Sequence, residues 1–360
     1  MKLIILGENG SVHVQKWIIA IASVPGIELH VITFKRGPEQ PQVHYHYLKK
    51  FAGNKLDFLL NLFHFKRIVS EIKPDLIQAH YATSYGFLAA FSGFHPFIIT
   101  GWGADIFDSP ANPIMKSMLQ YSFRKADAIS VLSEVTRKEI KKLTNKHVNL
   151  IPFGVDTNKF NPRKRDDDKK IVRIGTIRTL SEKYGLEFLI KAFANAYAQH
   201  PEIRLEIVGD GPQKQMLNEL CENLNISDVV TFHGYVNQNT DFEKYIALLQ
   251  SFDIFAILSI LDSETFGVAA VEASACGIPV VATNVGGLPE VIDDEKTGLI
   301  VPPKNAEATS EAFIRLIKDK SLREKLGAGG LAKASSMYNW KFNIQQMVDL
   351  YKKTMKKEVL

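Results

Sequence analysis

Two carboxylates, Glu264 and Glu272, stand eight positions apart in the stretch LSILDSETFGVAAVEASACGIPVVATNVGGLPEVI, residues 258–292. The apolar run Ile254 to Ile260 ahead of them has strand composition, and Ile278 to Thr283 behind them reads as a second strand. The alanine-rich middle, closed by Gly277, predicts a helix with a glycine stop. A helix rises ~1.5 Å per residue, so the two carboxylates would lie roughly 12 Å apart along its axis. That is about the span of a sugar, a diphosphate and a ribose. If Glu264 caps the helix start and Glu272 lies two turns inside, one can take hydroxyls of a sugar and the other those of a ribose. The phosphates then face the N–H groups near Phe266 and Gly267, where a helix start favours anions, and Gly267 lets a ligand approach the backbone closely. The spacing alone fits a surface helix with two unrelated glutamates equally well.

The whole string is more specific than its two acids. It resembles the E-x7-E signature of the large GT4 family of retaining glycosyltransferases, E-G-F-G/S-x-x-x-x-E-A-x-A-x-G-x-P-V-V-A-T. Here it reads Glu264-Thr-Phe-Gly-Val-Ala-Ala-Val-Glu272-Ala-Ser-Ala-Cys-Gly-Ile-Pro-Val-Val-Ala-Thr283. The resemblance implies that Glu264 positions the donor sugar and Glu272 grips the ribose, with Thr265, Phe266 and Gly267 lining the donor. It extends to Gly175-Thr-Ile-Arg178 and Glu182-Lys183-Tyr184-Gly185, similar to the family's G-R-L-x-x-x-K-G loop. Arg178 and Lys183 would there contact the diphosphate, whose departure builds negative charge that two fixed cations stabilise. Val208-Gly-Asp-Gly-Pro212 resembles the family's G-x-G-P turn and brings Gly209 toward the donor. It is not a dinucleotide fingerprint, since Lys214 stands where the third glycine belongs. Tyr235 and Val236 match the place where the family's backbone holds the nucleobase.

In the first half, Gly10 sits in the tight turn Leu6-Gly-Glu-Asn-Gly-Ser11, which can approach donor phosphates or acceptor. Ile99-Thr-Gly-Trp-Gly-Ala-Asp105 resembles the family's T-x-H-G-x-D stretch, with Trp102 in place of the histidine. Trp102 either stacks on a sugar face or fills the domain, and Asp105 orders the loop. His80 reads equally as structural or functional. The glycines of Asn284-Val-Gly-Gly-Leu-Pro-Glu290 suit a turn close to the diphosphate or a purely structural one.

Short apolar strands alternate with helix-length segments through both halves, which predicts parallel, doubly wound sheets with ligands at the carboxyl ends of the strands. In the first half these are Leu3 to Leu6, His30 to Phe34, Leu76 to Ala79, Phe97 to Thr100, Ala128 to Leu132 and Asn149 to Pro152. At 360 residues the chain exceeds what one core usually fills. The expected fold is α/β of the GT-B type, two Rossmann-like domains facing each other across a cleft. Residues 1–160 form an acceptor-binding domain, 161–170 a charged linker and 171–335 a nucleotide-sugar-binding domain. Within 336–360 lies a helix that, by the resemblance, packs back on the first domain.

Composition, 46% hydrophobic and 23% charged, is that of a soluble globular chain. No apolar run reaches the ~20 residues that span a bilayer, and the start MKLIILGENG lacks signal-peptide architecture. Two cysteines exclude a disulfide framework and fit a reducing cytoplasm, with Cys276 as a small packing residue. The histidines and cysteines lack ligand spacing, so no metal is expected.

A net charge of +5 does not argue for nucleic acid, but eleven lysines and arginines crowd between Arg124 and Arg165. That belt could attract anionic headgroups or an acidic acceptor, or be a solvated helix face. The lysine-flanked segment Lys49 to Lys73 reads either as an amphipathic helix on the inner face of a membrane or as a buried docking helix.

The resemblance therefore implies metal-independent transfer of a sugar from a UDP- or GDP-sugar to a hydroxyl of a saccharide or lipid-linked acceptor. Configuration is retained, and cell-surface polysaccharide or glycolipid is the expected product class. A nucleotide-sugar epimerase of the same architecture and a non-catalytic binder of anionic polymers are the competing readings.

Overall fold

The computed structural model describes residues 1–53, 56–107, 109–163 and 171–356. The chain divides into two units: Met1–Pro152 together with the chain from Asn343 on, and Phe153–Phe342. The division falls ahead of the charged stretch 161–170, most of which (164–170) lies outside the described residues. Lys164 and Arg165 of the basic belt lie there too.

Among the described residues the first unit holds a seven-stranded parallel sheet. Its strands are β1 (Lys2–Leu6), β2 (Glu28–Thr33), β3 (Val43–Tyr47), β4 (Leu76–His80), β5 (Phe97–Gly101), β6 (Ala128–Val131) and β7 (Val148–Leu150). Their order in space is β3-β2-β1-β4-β5-β6-β7. The apolar runs Leu3 to Leu6 and Phe97 to Ile99 are buried throughout, as strands must be in a parallel sheet covered by helices on both faces. β3, with the sequence VHYHY, has no apolar run and is not anticipated by that criterion. Its place comes from pairing with β2, Leu29 against Val43 through Thr33 against Tyr47.

The second unit holds β8 (Val172–Ile177), β9 (Ile203–Val208), β10 (Val230–Gly234), β11 (Ile254–Ile257), β12 (Val280–Thr283) and β13 (Gly298–Val301), in the order β10-β9-β8-β11-β12-β13. Each sheet starts at a central strand, grows outward on one side and returns to the other. The order thus reverses between β1 and β4 in one unit and between β8 and β11 in the other. In open α/β sheets that reversal splays the loops at the carboxyl ends apart and leaves a crevice for ligands.

The last helix, Trp340–Lys356, belongs to the first unit from Asn343 on. Met347 and Tyr351 are fully buried there. The Tyr351 hydroxyl donates to the Gln78 carboxamide oxygen, and Gln78 Nε2 donates to Thr100 Oγ1 at 2.9 Å. This buried polar chain ties the C-terminal helix to β4 and β5.

The segment Lys49 to Lys73 meets neither sequence alternative whole. Helix Leu62–Ile72 docks Phe65, Ile68, Val69 and Ile72 into the core of the first unit. Phe51, Leu56, Leu59, Leu60 and Phe63 point outward, Phe63 at 84% exposure. Asn54 and Lys55 lie outside the described residues.

Candidate active site

The loops after β8 and β11 build the charged part of the site. Arg178 follows β8 directly, and Ser259 and Glu264 follow β11. The Arg178 guanidinium donates to the Glu264 carboxylate and, at 3.2 Å, to Ser259 Oγ. Ser259 Oγ in turn donates to Glu264 Oε2 at 2.8 Å. Both charged side chains are mostly covered, at 12% exposure each, and each serves as the partner of the other's charge, whereas Lys183 is exposed.

Both cations lie against Tyr184, the Arg178 Cζ 4.0 Å and the Lys183 Nζ 4.7 Å from its ring centre. The face of an aromatic ring attracts cations and fixes their positions without neutralising them. Lys183, Tyr184, Leu261, Ser263 and Glu264 line one small pocket. The backbone joins these loops as well, because Ile260 N–H donates to the Lys183 carbonyl at 2.9 Å.

The turn Val208 to Pro212 holds Arg178 from behind. Gly209 has a φ of +147°, and a Cβ there would lie 1.8 Å from the Arg178 carbonyl oxygen. Arg178 N–H donates to the Val208 carbonyl at 2.9 Å. Gly209 is thus required by the approach of two backbones, not by a ligand, and its contribution is to seat Arg178.

The helix of the two-glutamate stretch runs Val268–Ala275 with Gly267 as its N-cap. This corrects the predicted geometry: Glu264 lies ahead of the helix and does not cap it, so the axial-rise estimate does not apply. Glu272 is the fifth helical residue, little more than one turn in. Gly267 has a φ of +79°, and a Cβ there would meet Leu288 Cδ2 at 2.5 Å. Protein, not ligand, occupies the space its missing side chain leaves. Phe266 is buried edge-on to Tyr338, ring centres 5.5 Å apart, and Thr265 is buried. No side chain caps the helix start and no acid stands in its first turn, which keeps it favourable to an anion. The glycines of the 284–290 stretch bind this loop, Gly287 N–H donating to the Glu264 carbonyl at 2.9 Å and Gly286 N–H to Asp262 Oδ1 at 3.0 Å.

Glu272 is only 2% exposed. Its carboxylate accepts from Gln238 Nε2 at 2.9 Å and from the Tyr245 hydroxyl. Burial first, and then the nearby Glu272 charge, raise the Tyr245 hydroxyl well above its usual pKa and push the Cys276 thiol up to about 12. Both stay protonated, and Cys276 is inert packing. Val236 is buried while Tyr235 is 65% exposed. Sequence reasoning missed Ser259, Tyr184, Gln238 and Tyr245. Ser259 stands two residues beyond β11, at the carboxyl end of a strand where ligands of a parallel sheet are expected; Gln238 and Tyr245 reach Glu272 from loop and helix by folding alone.

The first unit places Gly10 and Trp102 in different surroundings. A Cβ on Gly10 would lie 3.0–3.3 Å from the end of the Lys35 side chain, a cation that the sequence reading did not single out. Trp102 is buried and donates its Nε1–H to His80 Nδ1 at 3.0 Å. Its ring stacks near Tyr81 and His13, centres 5.8 Å apart in each case. His80 is fully buried, and burial pushes its pKa down to about 3, so it is neutral at physiological pH. Asp105 accepts from the backbone N–H of Ala82, Trp102 and Gly103 at 2.7, 3.2 and 3.0 Å. Trp102 and His80 form a fixed aromatic floor. The basic belt is partly engaged: Arg137 pairs with Glu134 and Lys142 with Glu139, both at 2.6 Å, and Lys146 Nζ donates to the Arg124 carbonyl at 2.6 Å.

Two family models match the chain, "Glycosyl transferases group 1" over residues 155–332 and "Glycosyl transferase 4-like" over residues 2–133. An uncharacterised glycosyltransferase of Methanocaldococcus jannaschii is 34% identical over 191 residues, 53% of this chain and 46% of that one. A GDP-mannose-dependent alpha-(1-6)-phosphatidylinositol monomannoside mannosyltransferase of Mycobacterium tuberculosis is 30% identical over 243 residues, 63% of this chain and 62% of that one. The chain thus spans about half to three fifths of the length of these relatives. The crystal structure of Anabaena HepE in complex with UDP superposes with a TM-score of 0.81 at 20% identity, covering 98% of this chain and 100% of that one. With one model on each unit and the fold shared over nearly its whole length, the chain belongs to the group 1, GT4-like glycosyltransferases of GT-B fold.

Proposed function

We propose that this protein transfers a sugar from a nucleoside-diphosphate donor to a hydroxyl acceptor with retention of anomeric configuration and without a metal. The observation that carries the reading is the arrangement of Arg178, Lys183, Ser259 and Glu264 around Tyr184 at the carboxyl ends of β8 and β11. Arg178 and Lys183 receive the diphosphate, and Glu264, already oriented by Ser259, takes hydroxyls of the sugar. The bond between the sugar's anomeric carbon and the phosphate oxygen breaks while the acceptor oxygen bonds to the same carbon. The acceptor's proton passes to the departing phosphate oxygen. Cations fixed before the reaction stabilise that charge without reorganising.

Ribose hydroxyls reach Glu272 when the Gln238 amide, which donates to it now, moves aside. UDP and GDP donors both fit this description; HepE is crystallised with UDP and the mycobacterial relative is named for GDP-mannose. Incubation with UDP- and GDP-sugars and lipid-linked or saccharide acceptors, read by NMR of the new anomeric proton, tests the reading. A product with the donor's configuration, formed in the presence of EDTA, supports it; inversion or strict metal dependence refutes it. An isomerised donor formed without acceptor would establish the epimerase instead.

The acceptor is best read as membrane-bound. Phe51, Leu56, Leu59, Leu60 and Phe63 are exposed within thirteen positions, next to the exposed Lys49, Lys50, Lys66 and Arg67. Apolar side chains among lysines and arginines suit an anionic lipid surface. Asp57 holds the turn that presents Phe51, accepting from the N–H groups of Phe51, Ala52 and Gly53 at 2.9, 2.7 and 2.8 Å. Among the described residues no helix is long and apolar enough to cross a membrane. Co-sedimentation with anionic vesicles that is lost in Phe63→Asp supports this part, and equal sedimentation of both proteins refutes it.

A further inference from the structure

We propose that Glu28, His30 and His44 form a binding site for a divalent transition metal, best matched by Zn²⁺, that fastens edge strand β3 to β2. The register sets His30 directly against His44. Because side chains alternate along a strand, Glu28, His30, His44 and His46 all project from the same face of this pair. One ligand atom from each of Glu28, His30 and His44 lies within 4.8 Å of the others. His30 Nε2 is 3.1 Å from Glu28 Oε1, close to the ~3.4 Å that separates ligand atoms on a tetrahedral ion with bonds of ~2.1 Å. The His30 and His44 rings are stacked 4.8 Å apart, and the exposed His44 has only to swing inward to complete the set.

The remaining nitrogen of His30 is also accounted for. Its Nδ1 lies 3.1 Å from His46 Nε2. A ligating imidazole typically uses its second N–H in this way, on a partner that fixes the ring and its tautomer. As the neutral tautomer protonated at Nδ1, His30 would bind the metal through Nε2, in place of its present contact with Glu28, and would donate its Nδ1–H to His46. His30 is buried while Glu28 and His44 are exposed, which gives an anchored base with an open approach. Lys2 Nζ, 3.7 Å from Glu28 with both side chains half exposed, is a weak surface partner that a dication displaces. Two imidazoles, one carboxylate and a water make a donor set suited to Zn²⁺. Both cysteines are buried and do not compete.

The site stands at the amino-terminal ends of β2 and β3, whereas the Gly10 turn follows the carboxyl end of β1. The proposal therefore does not depend on the glycosyl-transfer reading. Its sequence trace is two period-two patterns, Glu28-Leu-His30 and His44-Tyr-His46, which only strand pairing brings together.

Untagged full-length protein, stripped with a chelator, is titrated with ZnCl₂ by isothermal calorimetry and with CoCl₂ by visible absorption. One Zn²⁺ per chain is expected, with affinity reduced at least about tenfold in His44→Ala and Glu28→Gln. Co²⁺ should give the visible bands of a tetrahedral nitrogen and oxygen site, and these should vanish in His44→Ala. Zn²⁺ should raise the Tm of the wild type and not of His44→Ala, because binding to the native state alone stabilises it. Both substitutions are at exposed positions, and far-UV circular dichroism confirms that the variants fold. Absence of stoichiometric binding by the wild type, or unchanged affinity in His44→Ala, overturns the proposal.

Discussion

At the switch point of the first unit, between β1 and β4, and at the neighbouring end of β5, the packed groups are mostly aromatic, with His80, Tyr81 and Trp102 against one another, while the Glu8 carboxylate, two residues past β1, accepts from the Tyr85 hydroxyl at 3.1 Å. At the corresponding place in the second unit, between β8 and β11, the groups are charged: Arg178, Lys183 and Glu264 are held by Ser259 and Tyr184. The two sheets reverse their strand order in the same way, so the backbone offers the same crevice twice. The chemistry differs because the side chains at the strand ends and up to seven residues beyond them differ. A buried neutral histidine and an indole exclude water and set a shape. A partly shielded ion pair beside a further cation stores a field that an anion can exploit.

The contrast predicts a separation of effects. Arg178→Ala and Lys183→Ala should each lower kcat by roughly 10²–10³-fold, the cost of removing one preorganised charge stabiliser, whereas Trp102→Phe should leave kcat within about tenfold. Steady-state rates on whichever nucleotide-sugar donor supports transfer test this, and a larger loss for Trp102→Phe would place the chemistry in the first unit. Glu272→Ala strands the Tyr245 hydroxyl and the Gln238 amide in a buried place. It should cost about 1–3 kcal/mol in urea unfolding as well as weakening nucleotide binding. A variant that loses nucleotide affinity at full stability would make Glu272 a ligand contact alone.

The smallest effect concerns His80. Its folded pKa is depressed to about 3 by burial, so as pH falls the unfolded chain takes up the proton first. The stability associated with its neutral form is therefore present above about pH 6.5 and is lost progressively from there toward pH 3. At pH 5 the loss is roughly 2 kcal/mol. His80→Asn should flatten the stability curve between pH 7 and 5 by that amount relative to the wild type. Parallel curves for the two proteins would mean that His80 is hydrated or protonated in the native state.

Strands of both sheets were legible wherever burial on two faces leaves a continuous apolar run, as in Leu3 to Leu6 or Ile254 to Ile257. β3 was not, because an edge strand needs only one good pairing partner and VHYHY carries polar rings. Glu264 was legible because the string around it is long and specific, and Arg178 and Lys183 were singled out by the resemblance of a separate loop, residues 175–185. The roles of the glycines were not, since Gly209 and Gly267 answer to Arg178 and Leu288, neighbours distant in sequence.

The sequence by itself determined two parallel α/β sheets and the stretch that bears the charged site, because periodicity and a continuous motif are local properties. Tertiary structure alone decided that Glu264 pairs with Arg178 while Glu272 is enclosed by Gln238 and Tyr245, and that two histidines meet across β2 and β3. Those outcomes depend on strand register and on where loops converge after the chain has crossed its own sheet, and neither is encoded in any window of neighbouring residues.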